Sequence, residues 1–357
     1  MREDDWVGAD TLIRRKFSTL PFDIQVLSAV QRADTAAERR LRGQAPEVAG
    51  RKGRRLETML ETGTMLSTYL EDLGRAEEFT RFGTANPVPP GARASAHQLL
   101  ATLAVAGGRW SAAKPEFAAA SAAGNADSAL IGRALAASLP FLGVPKPELE
   151  AIREEVKRWT PGSDVSSPLP ESIRPLTGHL RLYLLGLLSA RLGAAADALR
   201  YAGELEKLPA PLETAALVRG LGRTIRADVA AGAGRTTEAL TLLDGVKGEV
   251  PFELIRLPYF SEEHARYLRS LQLHQAGREA EALRLAEVAF IGTPYELHYR
   301  APVHLLRAEI QQRLGNRSAA AQEYSRFTAL WRACDAPLRP VVENAKAELA
   351  ALTAEPR

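Results

Sequence analysis

The stretch that decides the fold is Tyr299–Trp331, YRAPVHLLRAEIQQRLGNRSAAAQEYSRFTALW. Apolar residues recur at three- and four-residue spacing on both sides of Gly315, which marks two amphipathic helices joined by a tight turn. Ala308 and Ala320 fall where two helices must approach closely. Leu305, Leu314, Tyr324 and Phe327 are the residues expected to fill the space between them.

Taking Gly315 as position 15 of a helix–turn–helix unit of about 34 residues puts Ala308 at 8, Ala320 at 20 and Tyr324 at 24. The same ruler fits three earlier glycines. Gly277 places Ser270 at 8 and Ala282 at 20. Gly234 places Ala227 and Ala239 there, and Gly193 places Gly186 and Ala198. A single helical pair cannot bury its apolar faces, so such units stack into a continuous core. The expected fold is therefore all-α: a tetratricopeptide-like α-solenoid of roughly seven to nine stacked hairpins. An amphipathic helix over 337–352 is expected to cap its C-terminal end.

Composition agrees. The 357 residues are 46% hydrophobic and 25% charged, with 6% aromatic and a formal charge of +3. Good helix formers dominate. Cys334 is the single cysteine, so an intrachain disulfide is excluded, which suits a reducing compartment. The sequence has no apolar run of membrane-span length and no signal-peptide apolar region at its start. A cytoplasmic protein that does not engage the membrane is expected.

The chain divides at TPGSDVSSPLPESIRP, residues 160–175, whose prolines and serines oppose a helix. Residues 1–159 read as irregular hairpins, interrupted by NPVPPG at 86–91 and by LPFLGVPKP at 139–147. Gly74 reads as the turn of the pair over 56–82. Residues 176–357 read as regular repeats with the capping helix.

Catalytic signatures are missing. The sequence has no GxxxxGK[ST], HExxH, GxSxG or CxxC. The six histidines lack metal-ligand spacing. A non-enzyme without cofactor or metal is expected, acting by binding. The concave positions of regular repeats hold Tyr183, Tyr267, His274, Gln312 and Arg313, which suit a protein or peptide partner, and self-association is open as well. A second pattern is a basic ladder: Arg223 and Arg226, Arg266 and Arg269, His304 and Arg307 lie at equal offsets before three successive turn glycines. It reads either as packing between repeats or as an anion-binding face. The alternative partner is nucleic acid, through the basic segment 39–55 (Arg39, Arg40, Arg42, Arg51, Lys52, Arg54 and Arg55). The segment lacks the interleaved aromatics of a stacking platform.

LRAEIQQRLGNRSAAAQEYSRFTALWRACDAPLRP and ADTLIRRKFSTLPFDIQVLSAV also resemble the C-terminal repeat regions of bacterial multidomain regulators, serine/threonine kinases above all. The resemblance implies a sensory or scaffolding array. The kinase glycine-rich loop, HRD and DFG have no counterpart here.

Overall fold

In the computed structural model, residues 20–50, 58–85, 88–160, 176–246, 262–288 and 294–354 are described. They contain helices and turns and no strand. Seventeen α-helices follow in order: α1 Phe22–Gln31, α2 Thr35–Gly50, α3 Thr58–Tyr69, α4 Leu73–Phe82, α5 Pro90–Ala106, α6 Trp110–Ala122, α7 Ala126–Ser138, α8 Lys146–Arg158, α9 Thr177–Arg191, α10 Ala195–Lys207, α11 Ala215–Gly232, α12 Thr236–Asp244, α13 Glu263–Gln275, α14 Glu279–Glu287, α15 Leu297–Arg313, α16 Arg317–Leu330 and α17 Arg339–Thr353. Odd and even helices pair into eight hairpins, each second helix also packs on the next first helix, and α17 covers α16. The all-α solenoid with its capping helix is the observed architecture.

The turn glycines do what the ruler requires. Gly108, Gly193, Gly234, Gly277 and Gly315 all have positive φ, between 69° and 80°. In the last hairpin the amide after the glycine, Asn316 N–H, donates to Gln311 O at 2.9 Å and closes the helix end. The small residues matter as well. Ala308, Ala320, Ala227, Ala239 and Ala198 are fully buried, and a Cβ added at Gly186 would meet Ile225 Cδ1 at 2.5 Å.

Two local expectations are corrected. Gly74 is not a turn residue. The α3–α4 turn runs through Glu71, which takes φ 55°, and Asp72 caps α4 by accepting from Arg75 N–H at 2.9 Å. The cap begins the helix one residue before Gly74. Residues 39–50, the described part of the basic segment, are helical through Gly43 and Pro46. Leu314 is 41% exposed instead of filling the space between its helices. Residues 51–55 and 161–175 lie outside the described residues, as does the start of the chain up to 19.

Linear stacking does not end the description. First helices pack in succession, α5 on α7, α7 on α9, α9 on α11, α11 on α13 and α13 on α15, and α15 then packs back on α5. Six inner helices thus complete a ring. Its seam is held by polar contacts between distant segments. Trp331 Nε1–H donates to Ala106 O at 3.0 Å. Asp335 N–H donates to Gly108 O at 3.0 Å. Ser111 N–H and Oγ–H both donate to the Asp335 carboxylate, at 2.8 and 2.5 Å. One apolar cluster, from Ala101 to Ala345, draws on residues from both sides of 161–175.

Two substitutions separate backbone from packing. Gly315→Ala meets open space but an unfavourable φ, and it should cost about 1 kcal/mol. Gly186→Ala drives a methyl into Ile225 and should cost about 1–3 kcal/mol. Urea melts at constant helicity measure both.

Candidate functional site

The inner face of the ring is filled by the protein's own side chains. The irregular loop after α7 sends Phe141 against Tyr267 at 5.6 Å, Tyr299 at 5.5 Å and Trp331 at 6.4 Å between ring centroids. Tyr267 and Tyr299 are 5.5 Å apart. The first two Phe141 contacts are edge-to-face, the arrangement that the ring quadrupoles favour. Leu142 and Val144 of the same loop are buried, and Gly143 lies so close to Pro337 that a Cβ would come within 2.8 Å.

This filling sets where the predicted groove residues lie. Tyr183 is 4% exposed, and burial raises its hydroxyl above the ordinary range. Tyr267 belongs to the aromatic cluster. His274 is buried and hydrogen-bonds Glu279 through Nδ1 at 2.6 Å. Gln312 and Arg313 stand apart. Arg313, whose side chain is 55% exposed, donates to Glu279 Oε1 at 2.9 Å and to His274 O at 3.1 Å. Gln312 donates to Glu348 of α17 at 2.9 Å and accepts from Tyr324 O–H at 2.8 Å. These two neighbours form a ledge tied to α13–α14, α16 and α17.

The basic ladder is engaged along its whole length. Arg226 pairs with Glu206 of the preceding hairpin at 3.0 Å, Arg269 with Asp244 of its preceding hairpin, and Arg307 with Glu323 at 3.2 Å. Arg223 donates to Gly245 O at the end of α12. Arg266 lies beside Glu262, whose carboxyl burial raises and this guanidinium lowers. In the segment 39–50, Arg42 is paired with Glu38 at 3.0 Å and Glu78 at 2.9 Å.

His304 has a role that offset alone did not show. It is 2% exposed and sits on the ring seam. Its Nδ1 lies 2.5 Å from Glu323 Oε2 and its Nε2 3.0 Å from Glu71 Oε1. Two acceptors on one ring call for the imidazolium, which donates through both nitrogens. Burial opposes that charge, but the two hydrogen bonds and the two carboxylates raise the His304 pKa overall. Glu71 and Glu323 feel burial in the raising direction, and His304 with Arg300 or Arg307 holds both below the usual carboxylate value. Arg300 also donates to Thr68 O at 3.3 Å. Glu71 is thus the turn residue that takes a left-handed φ and the acceptor that locks the seam.

On the inner side, Tyr183, Tyr299, His264, His298, Ser138 and Glu262 border a cavity of about 30 Å³, room for an ordered water. His264 Nδ1 is 3.1 Å from Tyr299 Oη. His298 is 2% exposed, and burial pushes its pKa down to about 3. Among the described residues no group of three or more His, Cys, Asp or Glu could hold a metal, and no helix is long and apolar enough to cross a membrane. Cys334 is buried, and burial raises its thiol.

The chain is similar to a tetratricopeptide repeat protein from Parabacteroides merdae ATCC 43184, with 16% identity and a TM-score of 0.40. The likeness covers 85% of this chain and 100% of that one. No family model matches the chain, and no curated protein does.

The histidines give the seam a pH dependence of known sign. His304 has a raised pKa in the folded state, so its contribution is full below about pH 6.5 and is lost as pH rises through its folded value. Wild type should therefore lose stability relative to His304→Gln as pH rises above about 6.5, measured by urea midpoints. His298, depressed in the folded state, acts in the opposite direction as pH falls below 6.5. Its replacement by Phe should flatten the acid limb.

Proposed function

We propose that this chain is a non-catalytic scaffold that engages a protein or peptide partner through the C-terminal half of its solenoid. The observation that carries this reading is the ledge of Gln312 and Arg313. Its Arg is exposed at the head and held at three points by Glu279, His274 O and the packing of α15 on α16. Arginine is among the residue types most enriched at binding hot spots. A side chain already fixed in place loses less freedom on association. Of the other predicted groove residues, His274 supports the ledge through its carbonyl, which accepts from Arg313. In this reading the array is the scaffold portion of a regulatory assembly, which is what its likeness to kinase-linked repeat regions implies.

The test uses partners recovered with the intact chain. Gln312→Ala with Arg313→Glu should weaken capture by about 1–3 kcal/mol and leave the circular dichroism spectrum unchanged. Tyr267→Ala is unsuitable because it opens the aromatic cluster. Undiminished capture by the double variant ends the ledge reading. A partner lost steeply between low and moderate salt, and lost again on charge reversal at Arg39 and Arg40, would make the ligand nucleic acid instead.

A further inference from the structure

The ring seam leaves a cleft on its outer side. It has an accessible volume of about 480 Å³ and lies between the α3–α4 turn, the α5–α6 turn and the end of α16. Four arginines line it: Arg75, Arg109, Arg326 and Arg332. Three carboxylates do so as well, and each is already committed. Asp72 pairs with Arg75 at 2.5 Å, and Arg75 also reaches Glu38 at 2.9 Å. Glu77 pairs with Arg109. Glu71 is taken by His304 at 3.0 Å and Arg300 at 3.6 Å.

Two guanidiniums are left over. Arg326 reaches Glu323 only at 3.9 Å, with its side chain 53% exposed. Arg332 has no carboxylate within ion-pair distance among the described residues, and it is exposed. A Cβ on Gly74 would lie 3.6 Å from Asp72 Oδ1, the cap of α4, and 3.7 Å from Arg332 Nη2, so Arg332 reaches over the start of α4 into the cleft. Two guanidiniums without a close ion pair thus face one cleft that has room for an anion.

We propose that this cleft binds a phosphate-bearing ligand. Arg326 and Arg332 would grip the phosphate oxygens by paired N–H donors, the geometry in which guanidinium matches phosphate. Arg75 and Arg109, fixed by their own carboxylates, set the field of the walls. The volume lies in the range of small-molecule sites, so the phosphate arrives on a small organic group or on a short stretch of peptide. The occupant touches both the early hairpins and the end of α16, so it fastens the seam that closes the ring.

Isothermal titration of the full chain tests this with inorganic phosphate, a nucleoside 5′-monophosphate and a phosphoserine peptide, at constant ionic strength set with chloride. The expected result is saturable binding of at least one phosphate compound, weakened tenfold or more in Arg326→Gln with Arg332→Gln. The preferred compound then names the source of the phosphate. The bound form should melt higher than the free form, and the double variant should show no such rise. Because neither arginine has a close ion pair, the double variant should fold with wild-type helicity. No binding of any of the three at millimolar concentration overturns the proposal, as does equal binding by the double variant.

Discussion

The structure depends on one indole. Trp331 sits at the end of the last hairpin, 2% exposed, and donates its N–H to the carbonyl of Ala106, 225 residues earlier in the chain. A buried Trp needs a partner for that N–H, and Ala106 O belongs to the C-terminal end of α5, where helix carbonyls lack intrahelical donors. Each group is satisfied by the other, and the bond forms only if the array has turned through a full circuit. The neighbouring Asp335, bonded to Gly108 and Ser111, repeats the argument on the next residues. Position in this protein is therefore set by closure as much as by stacking.

Much of the architecture is legible in the sequence, because the signals that carry it are local. A positive-φ turn needs glycine, so Gly193, Gly234, Gly277 and Gly315 announce themselves. Close helix approach needs Ala or Gly, so Ala308, Ala320 and Gly186 do the same. The circuit is not legible, because its contacts join residues more than 200 apart and leave no periodic trace. The pair over 56–82 shows how a local reading goes astray. Gly74 is the obvious turn former, but Asp72 captures the helix start, and Glu71 accepts the left-handed conformation where its carboxylate meets His304 and Arg300. The residue that joins the seam sits where the local rule breaks.

The candidate surface was legible only in part, for a related reason. Repeat positions that face a groove in an open array face the protein's own interior once the array closes. Register points to Tyr183, Tyr267 and His274, but Tyr183 and His274 are buried and Phe141 packs on Tyr267. The loop that carries Phe141 departs from the repeat and was read as an interruption. Its irregular length is what lets it reach inward. The arginines at repeat offsets behave similarly. Equal spacing aligns Arg226, Arg269 and Arg307, and it also brings each of them to a carboxylate of a hairpin, so the charge that a sequence displays as a stripe is neutralised pair by pair.

Closure also has a consequence for the order of events in folding. Within each hairpin and between neighbours, contacts link residues close in sequence, and such contacts form quickly. The pairing of α15 with α5 is of another kind, since it must wait until the intervening hairpins have set the curvature that brings the ends together. The long-range α5–α15 contact therefore carries a larger loop-closure cost than any contact within a hairpin. Trp331 and Ala106, 225 residues apart, meet only across that long closure.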